Sequence, residues 1–170
     1  ARSISDIVVE APFRHLVRPL AIYTQMEIMV ANRRHAEIAS AFGDEDLEVW
    51  PDRINYLGYY HRGVGHTAAG NRAAAITDLQ RCAALAGSDR WIELEAINRV
   101  GALYRALNDD EKAMAAYRNA LAIFDMQPER KGRWLYPQAI LGVAEILRDR
   151  GETDQALAAL AAYGNPDSEV

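Results

Sequence analysis

Along residues 101–121, GALYRALNDDEKAMAAYRNAL, small residues stand at Gly101, Ala113 and Ala120 and large ones at Tyr104, Leu107, Tyr117 and Leu121. An acidic pair, Asp109-Asp110, separates the halves. Apolar positions three and four apart on both sides of a polar break predict two amphipathic helices joined by a turn. The pattern recurs. Ile97-x-x-Val100-Gly101-x-x-Tyr104 has counterparts 43 residues away on either side, Ile54-x-x-Leu57-Gly58-x-x-His61 and Ile140-x-x-Val143-Ala144-x-x-Leu147. Gly65, Asn108 and Gly151 take the turn at the same interval, and Ala113-x-x-x-Tyr117 returns as Ala156-x-x-x-Leu160. In the first copy the second half slips. Strict spacing gives Gly70-x-x-x-Ala74 and points Asp78 and Arg81 at the core. A shift of five gives Ala75-x-x-x-Leu79, then Cys82, Ala83 and Ala86, an apolar stripe at helical spacing. The shift is the better reading, with the extra residues absorbed as a longer turn in the glycine-rich stretch 63–71.

Each repeat is therefore a helical hairpin. First helices are expected over about 51–63, 89–107 and 133–149, and second helices over about 71–86, 110–126 and 153–163. Pro51 suits a first helical turn, and Asp110 and Thr153 suit N-caps or first turns. Residues 13–42 read as helical throughout and as a fourth, divergent copy, with a break near Asn32 left open. The whole is one helical-repeat domain, 13–163, between an N-terminal tail, 1–12, and a C-terminal tail, 164–170. Small residues let paired helices approach, and large ones fill the space beside them and reach the next hairpin. One hairpin cannot bury its apolar face alone, so copies stack into an all-α, right-handed superhelix.

Composition agrees: alanine is frequent and β-branched runs are confined to Ile7-Val8-Val9. The net charge of −5 gives no basic face for nucleic acid. No apolar run reaches the ~20 residues that span a bilayer. The start, ARSISDIVVEAP, is not a secretory signal, and its missing methionine is expected of a chain cut from something longer. The single cysteine, Cys82, excludes an internal disulfide and points to the cytoplasm; on an alanine-rich helix it reads as a small core residue.

At these residues the chain resembles the tetratricopeptide repeat, whose signature is W-x2-L-G-x2-Y, A-x3-F and a small residue. Ile97, Val100, Gly101, Tyr104, Ala113, Tyr117 and Ala120 match closely; residues 140–163 match with Ala for Gly and Leu for both aromatics; residues 54–61 match in the first helix only. The period of 43 exceeds the family's usual ~34. Long repeats with connectors such as FGDEDLEVW also resemble the sensor regions of MalT- and AfsR-like bacterial signalling ATPases and transcription regulators. The resemblance implies a regulatory module that binds a protein or peptide, and no catalysis and no cofactor.

Candidate chemistry is sparse. No nucleotide loop, zinc-ligand cluster or nucleophile elbow is present. GVGHTAAG follows a helix and lacks a lysine, and His61 and His66 stand five apart, a poor spacing for a metal on one helix face. His61 reads as a packing residue, and Trp50, Trp91 and Trp134 as packing between hairpins. The sharper pattern is one side of the first helices: Asp52, Asn55, Tyr59 and Arg62; Glu95, Asn98, Ala102 and Arg105; Gln138, Leu141, Glu145 and Arg148. In tetratricopeptide arrays this side lines the concave groove. Asn55, Tyr59, Arg62, Asn98, Arg105 and Arg148 are thus candidate contacts to an extended peptide, acidic or carboxylate-ended, because guanidinium forks carboxylates and asparagine pairs with backbone amides. Two other readings stand beside it: a solvated, helix-capping face on a scaffold or self-association module, and an enzyme using Glu145 with His61 or Arg105. The last helix, TDQALAALAAY, offers Leu157, Leu160 and Tyr163, so its outer face is expected to be covered by something outside this stretch or by a second copy in a homodimer.

Overall fold

Hairpins of antiparallel helices make up the computed structural model, which describes residues 14–87, 89–126 and 136–164. The helices are α1 (Arg14–Ala31), α2 (His35–Phe42), α3 (Asn55–Ala68), α4 (Arg72–Leu85), α5 (Arg90–Ala106), α6 (Asp110–Asp125), α7 (Tyr136–Asp149) and α8 (Thr153–Gly164), with one 3-10 turn at Leu47–Val49. Among the described residues there is no strand. The array expected over 13–163 groups into two compact units that divide between Ser88 and Asp89. In the first, α3 packs on α1, α2 and α4; in the second, α6 lies between α5 and α7, and α7 carries α8. Ile22, Met26, Ile38, Leu47, Leu79 and Cys82 form the core of the first unit. Leu94, Ala96, Ala113, Met114, Tyr117 and Ile146 form that of the second. The core reading of Cys82 agrees with its complete burial.

The four hairpins of the described residues turn in the same way. Arg33, Gly70, Asn108 and Gly151 each adopt a left-handed backbone, at φ 60°, 79°, 58° and 79°. After each, the next amide donates back to the carbonyl five residues earlier: Arg34 to Met29, Asn71 to His66, Asp109 to Tyr104 and Glu152 to Leu147, at 2.8–2.9 Å. This closure satisfies the last carbonyls of the first helix, and its left-handed residue is normally Gly or Asn. Arg33 takes the place at a steric cost of about 1 kcal/mol. Residues 13–42 are thus two helices, breaking at Asn32-Arg33.

The turns also correct the register of the first full copy. Gly65 is not its turn residue. It lies inside α3, where a Cβ would meet Ile38 Cβ at 2.9 Å. The extra residues of 63–71 extend the first helix through Ala68 and do not lengthen the turn. Nor does that helix begin at Pro51: Leu47–Val49 form the 3-10 turn, and α3 starts at Asn55 with its amide on the Pro51 carbonyl. Counted from the left-handed residue, Gly63 corresponds to Gly101, and Leu79 to Tyr117. The packing agrees: a Cβ on Gly63 would meet Leu79 Cγ at 2.8 Å, and one on Gly101 would meet Tyr117 Cε1 at 2.6 Å. Gly58, the position at the 43-residue interval, instead lets Trp50 approach, with Trp50 Cζ3 2.8 Å from where its Cβ would stand.

In the second unit the Tyr117 ring is held from two sides. Gly101 on α5 bounds one side and Gly142 on α7 the other, where an added Cβ would meet Tyr117 Cζ at 2.5 Å. A single side chain on α6 therefore spaces three helices.

Candidate functional site

The first-helix face divides into a part closed by internal bonds and a part open to solvent. In the first unit Arg62 is closed. Its Nε and Nη2 donate to the two oxygens of Asp78, each at 2.8 Å, and its Nη1 donates to the Glu45 carbonyl at 2.7 Å. Both side chains are nearly buried. The guanidinium also lies over the Tyr59 ring, 5.3 Å from its centre. It ties α3 to α4 and to the connector before α3, and it turns no free fork outward. Tyr59 is buried with its hydroxyl donating to Glu48 Oε1 at 2.7 Å. The Arg81 fork on Glu48, with the Tyr59 hydroxyl second, holds that carboxyl down at about 2. Glu45 accepts from Arg18 and, at 3.1 Å, from Trp50 Nε1. Asn55 is buried, and its Oδ1 has no hydrogen-bond partner among the described residues.

In the second unit Asn98 is buried, as is Glu95, which accepts from Arg99 Nε at 2.6 Å. Arg105 is half-buried and shared between Asp110 and Asp149, 2.8 Å from each. Arg148 is exposed and, among the described residues, bonds its chain neighbour Asp149 alone, at 2.8 Å. Arg105, then Arg148, hold the Asp149 carboxyl below its usual range. Beside Arg148 on α7, Gln138, Leu141 and Glu145 are all exposed, while Ala139, Ile140, Val143, Ala144, Ile146 and Leu147 are buried. The helix is fully amphipathic, and its outer side is bare.

The expected ladder of three arginines is therefore reduced to two. Counted from the turns, Arg105 and Arg148 occupy equivalent places, while Arg62 corresponds to Val100 and Val143. Its 43-residue spacing belongs to the register that the turns overrule. Asn55 and Asn98 are likewise not equivalent, and both side chains are buried. Asp78, the residue on which Arg62 depends, was not among the candidates. Its signal was present, since strict spacing pointed Asp78 inward, where it meets Arg62; Arg81, which the same spacing pointed inward, is exposed and pairs with Glu48 at the surface. Glu145 is exposed. Trp50 is buried and Trp91 half-buried; Trp134 and the side chain of Tyr163 lie outside the described residues. GVGHTAAG is mostly helix and forms no phosphate loop.

One histidine site has its own chemistry. His61 on α3 is buried between Tyr23 and Tyr60, with Nε2 2.6 Å from Glu27 Oε1 on α1 and a buried Nδ1 that has no partner among the described residues. Burial lowers its pKa; His35 adds to this, and the Glu27 carboxylate opposes it without prevailing. The unfolded chain therefore takes this proton first. The contribution is fully favourable above about pH 6.5 and is lost as pH falls, by at most ~1.4 kcal/mol per pH unit for one proton. Urea unfolding should show a lower midpoint at about pH 5.5 than at about pH 7.5, with the difference smaller in His61→Phe. An equal pH response in the two proteins would refute the assignment.

Among the described residues no three His, Cys, Asp or Glu side chains could share a metal ion, and no helix is long and apolar enough to cross a membrane. No protein-family model and no curated protein matches the chain. Among solved structures, the crystal structure of MamA is similar over 96% of this chain and 94% of that chain, with a TM-score of 0.54 and 18% sequence identity. At that identity the likeness bears on the fold: an all-α, tetratricopeptide-like array of helical hairpins.

Proposed function

We propose that this chain is a protein- or peptide-binding module with no catalytic role of its own, and that its binding face is the outer side of α7. The bare side of α7, Gln138, Leu141, Glu145 and Arg148, carries the reading. Leu141 offers an apolar contact and Arg148 a cation whose one acceptor among the described residues is an exposed neighbour. An exposed ion pair is worth about 0–1 kcal/mol, so Arg148 can exchange Asp149 for a ligand carboxylate at little cost. Arg105 stands behind it on the same Asp149. Arg62, Tyr59, Asn55 and Asn98 support the helices in this reading and do not touch the ligand. The fitting ligand is an extended segment with an acidic group next to an apolar side chain. The long period and polar connectors support a sensing role within a larger bacterial cytoplasmic regulator. Self-association through the bare apolar residues of α1 and α8 is compatible with this role, since they lie on other helices.

A peptide array of acidic and apolar decamers tests the proposal. The parent protein should retain a subset, and Leu141→Asp/Arg148→Glu should lose it with an unchanged circular dichroism spectrum. Retention should weaken as salt rises, because the charges are exposed. Equal retention by the variant, or none by the parent, would overturn the proposal.

A further inference from the structure

Within each unit, one hairpin joins the next through its second helix: α2 packs on α3, and α6 on α7. Counted from the left-handed turn residues, the receiving helix is met nine residues before the turn in the second unit and five before it in the first, successive turns of one helix face. Gly142 faces Tyr117 of α6, and Ile146 is fully buried; Gly65 faces Ile38 and Ala39 of α2. On the giving helix α6 they fall six and nine residues after the turn, where Met114 and Tyr117 are 4% and 6% exposed.

Each half of this junction is also present without its mate. On α8 the giving positions are Leu157 and Leu160, 59% and 37% exposed. On α1 the receiving positions are Thr24 and Ile28, with Ile28 49% exposed and Val17 and Leu20 bare along the same side. The turns add charge. Inside the second unit, Glu111 on α6 grips Arg150 at the next turn at 2.7 Å. The residue of α8 equivalent to Glu111 is Asp154. The place equivalent to Arg150 at the first turn is Asn32, directly before Arg33. Asp154 and Arg33 are exposed and make no ion pair among the described residues.

Building on the self-association reading, we infer that α8 of one copy docks on α1 of a second copy, head to tail, with Leu157 and Leu160 over Thr24 and Ile28 and Asp154 beside Arg33. The occupant is a second copy because the chain carries both halves of its own internal junction with opposite charges at matching turns. Such a contact is heterologous, so it propagates instead of closing at two.

Sedimentation velocity on the whole chain tests this with two variants on exposed residues, Leu157→Arg, which blocks the tail, and Ile28→Arg, which blocks the head. The parent's weight-average mass should rise at least about twofold with concentration, as a propagating contact requires. Each variant alone should stay monomeric, and their equimolar mixture should form a dimer that grows no further. Asp154→Arg should weaken assembly and a partner carrying Arg33→Asp should restore it. A parent that is monomeric throughout would overturn the inference and leave both faces to another segment or protein. A Leu157→Arg or Ile28→Arg variant that self-associates alone would overturn it in favour of a two-fold contact. Arg148→Glu should leave assembly unchanged, so failure here is distinguishable from failure of the α7 site.

Discussion

Asp78→Ala should destabilise the protein by about 3–5 kcal/mol, because it leaves the Arg62 guanidinium buried without its carboxylate. The remaining acceptors, the Glu45 carbonyl at 2.7 Å and the Gly43 carbonyl at 3.4 Å, do not neutralise a charge. Replacing both partners should behave differently. A pair of well-fitting apolar residues, Arg62→Met with Asp78→Leu, removes the desolvation cost along with the attraction, and such swaps are often neutral or stabilising. Urea unfolding of the single and double variants therefore separates a buried pair that stabilises from one that only must not be broken. A loss below about 1 kcal/mol in Asp78→Ala, the range of exposed pairs, would refute the burial and bonding described for Arg62.

Tyr117→Ala should cost a similar ~3–5 kcal/mol, since it empties the space among three helices. Its interaction with Gly142 gives a sharper test, because two effects of opposite sign compete at that position. Alanine in a helix interior is favoured over glycine by about 1 kcal/mol. A Cβ pressed into the Tyr117 ring is an overpacking defect of roughly 1–3 kcal/mol. Gly142→Ala should therefore destabilise the parent yet stabilise Tyr117→Ala. A double-mutant cycle by thermal unfolding reads the difference as a coupling energy. The packing account fails if Gly142→Ala has the same sign in both backgrounds.

The hairpin architecture was legible because its cause is local. Small residues facing large ones at helical spacing survive in the sequence whatever the rest of the chain does, and Gly101, Ala113 and Tyr117 sit where that pattern put them. The register of the first copy was not legible in the same way. Gly58, Gly63, Gly65 and Gly70 all stand in one stretch, and glycine serves equally for a close helix approach and for a left-handed turn. Only the fold shows that Gly65 does the first and Gly70 the second. A usable signal was there: Gly70 precedes Ala75 by the interval that separates Asn108 from Ala113 and Gly151 from Ala156. At Arg33 no such signal exists, since arginine is not a residue that favours positive φ. The arginine face was misread for a related reason. Equal spacing of Arg62, Arg105 and Arg148 cannot reveal that Asp78 reaches Arg62 from the next helix, because partners across a hairpin leave no periodic trace. Gly142 was overlooked because its neighbour Ala144 carries the repeat.

Because the packing positions are counted outward from the left-handed residues, the chain should tolerate changes of length very unequally. Those residues lie 37, 38 and 43 apart, so the copies already differ in length. Extra residues in a connector such as 43–46 leave every turn-anchored contact in place; the cost is loop entropy, about 0.6 kcal/mol for each doubling of loop length, together with any of the Glu45 bonds to Arg18, Trp50 and Arg62 that the insertion displaces. One residue inserted between Gly70 and Ala75 would instead rotate all of α4 by about 100° against α3. That single insertion would swing Leu79 and Cys82 out of the core and Asp78 away from Arg62. Lineages or designs that lengthen this array can do so between hairpins, and hardly at all within one.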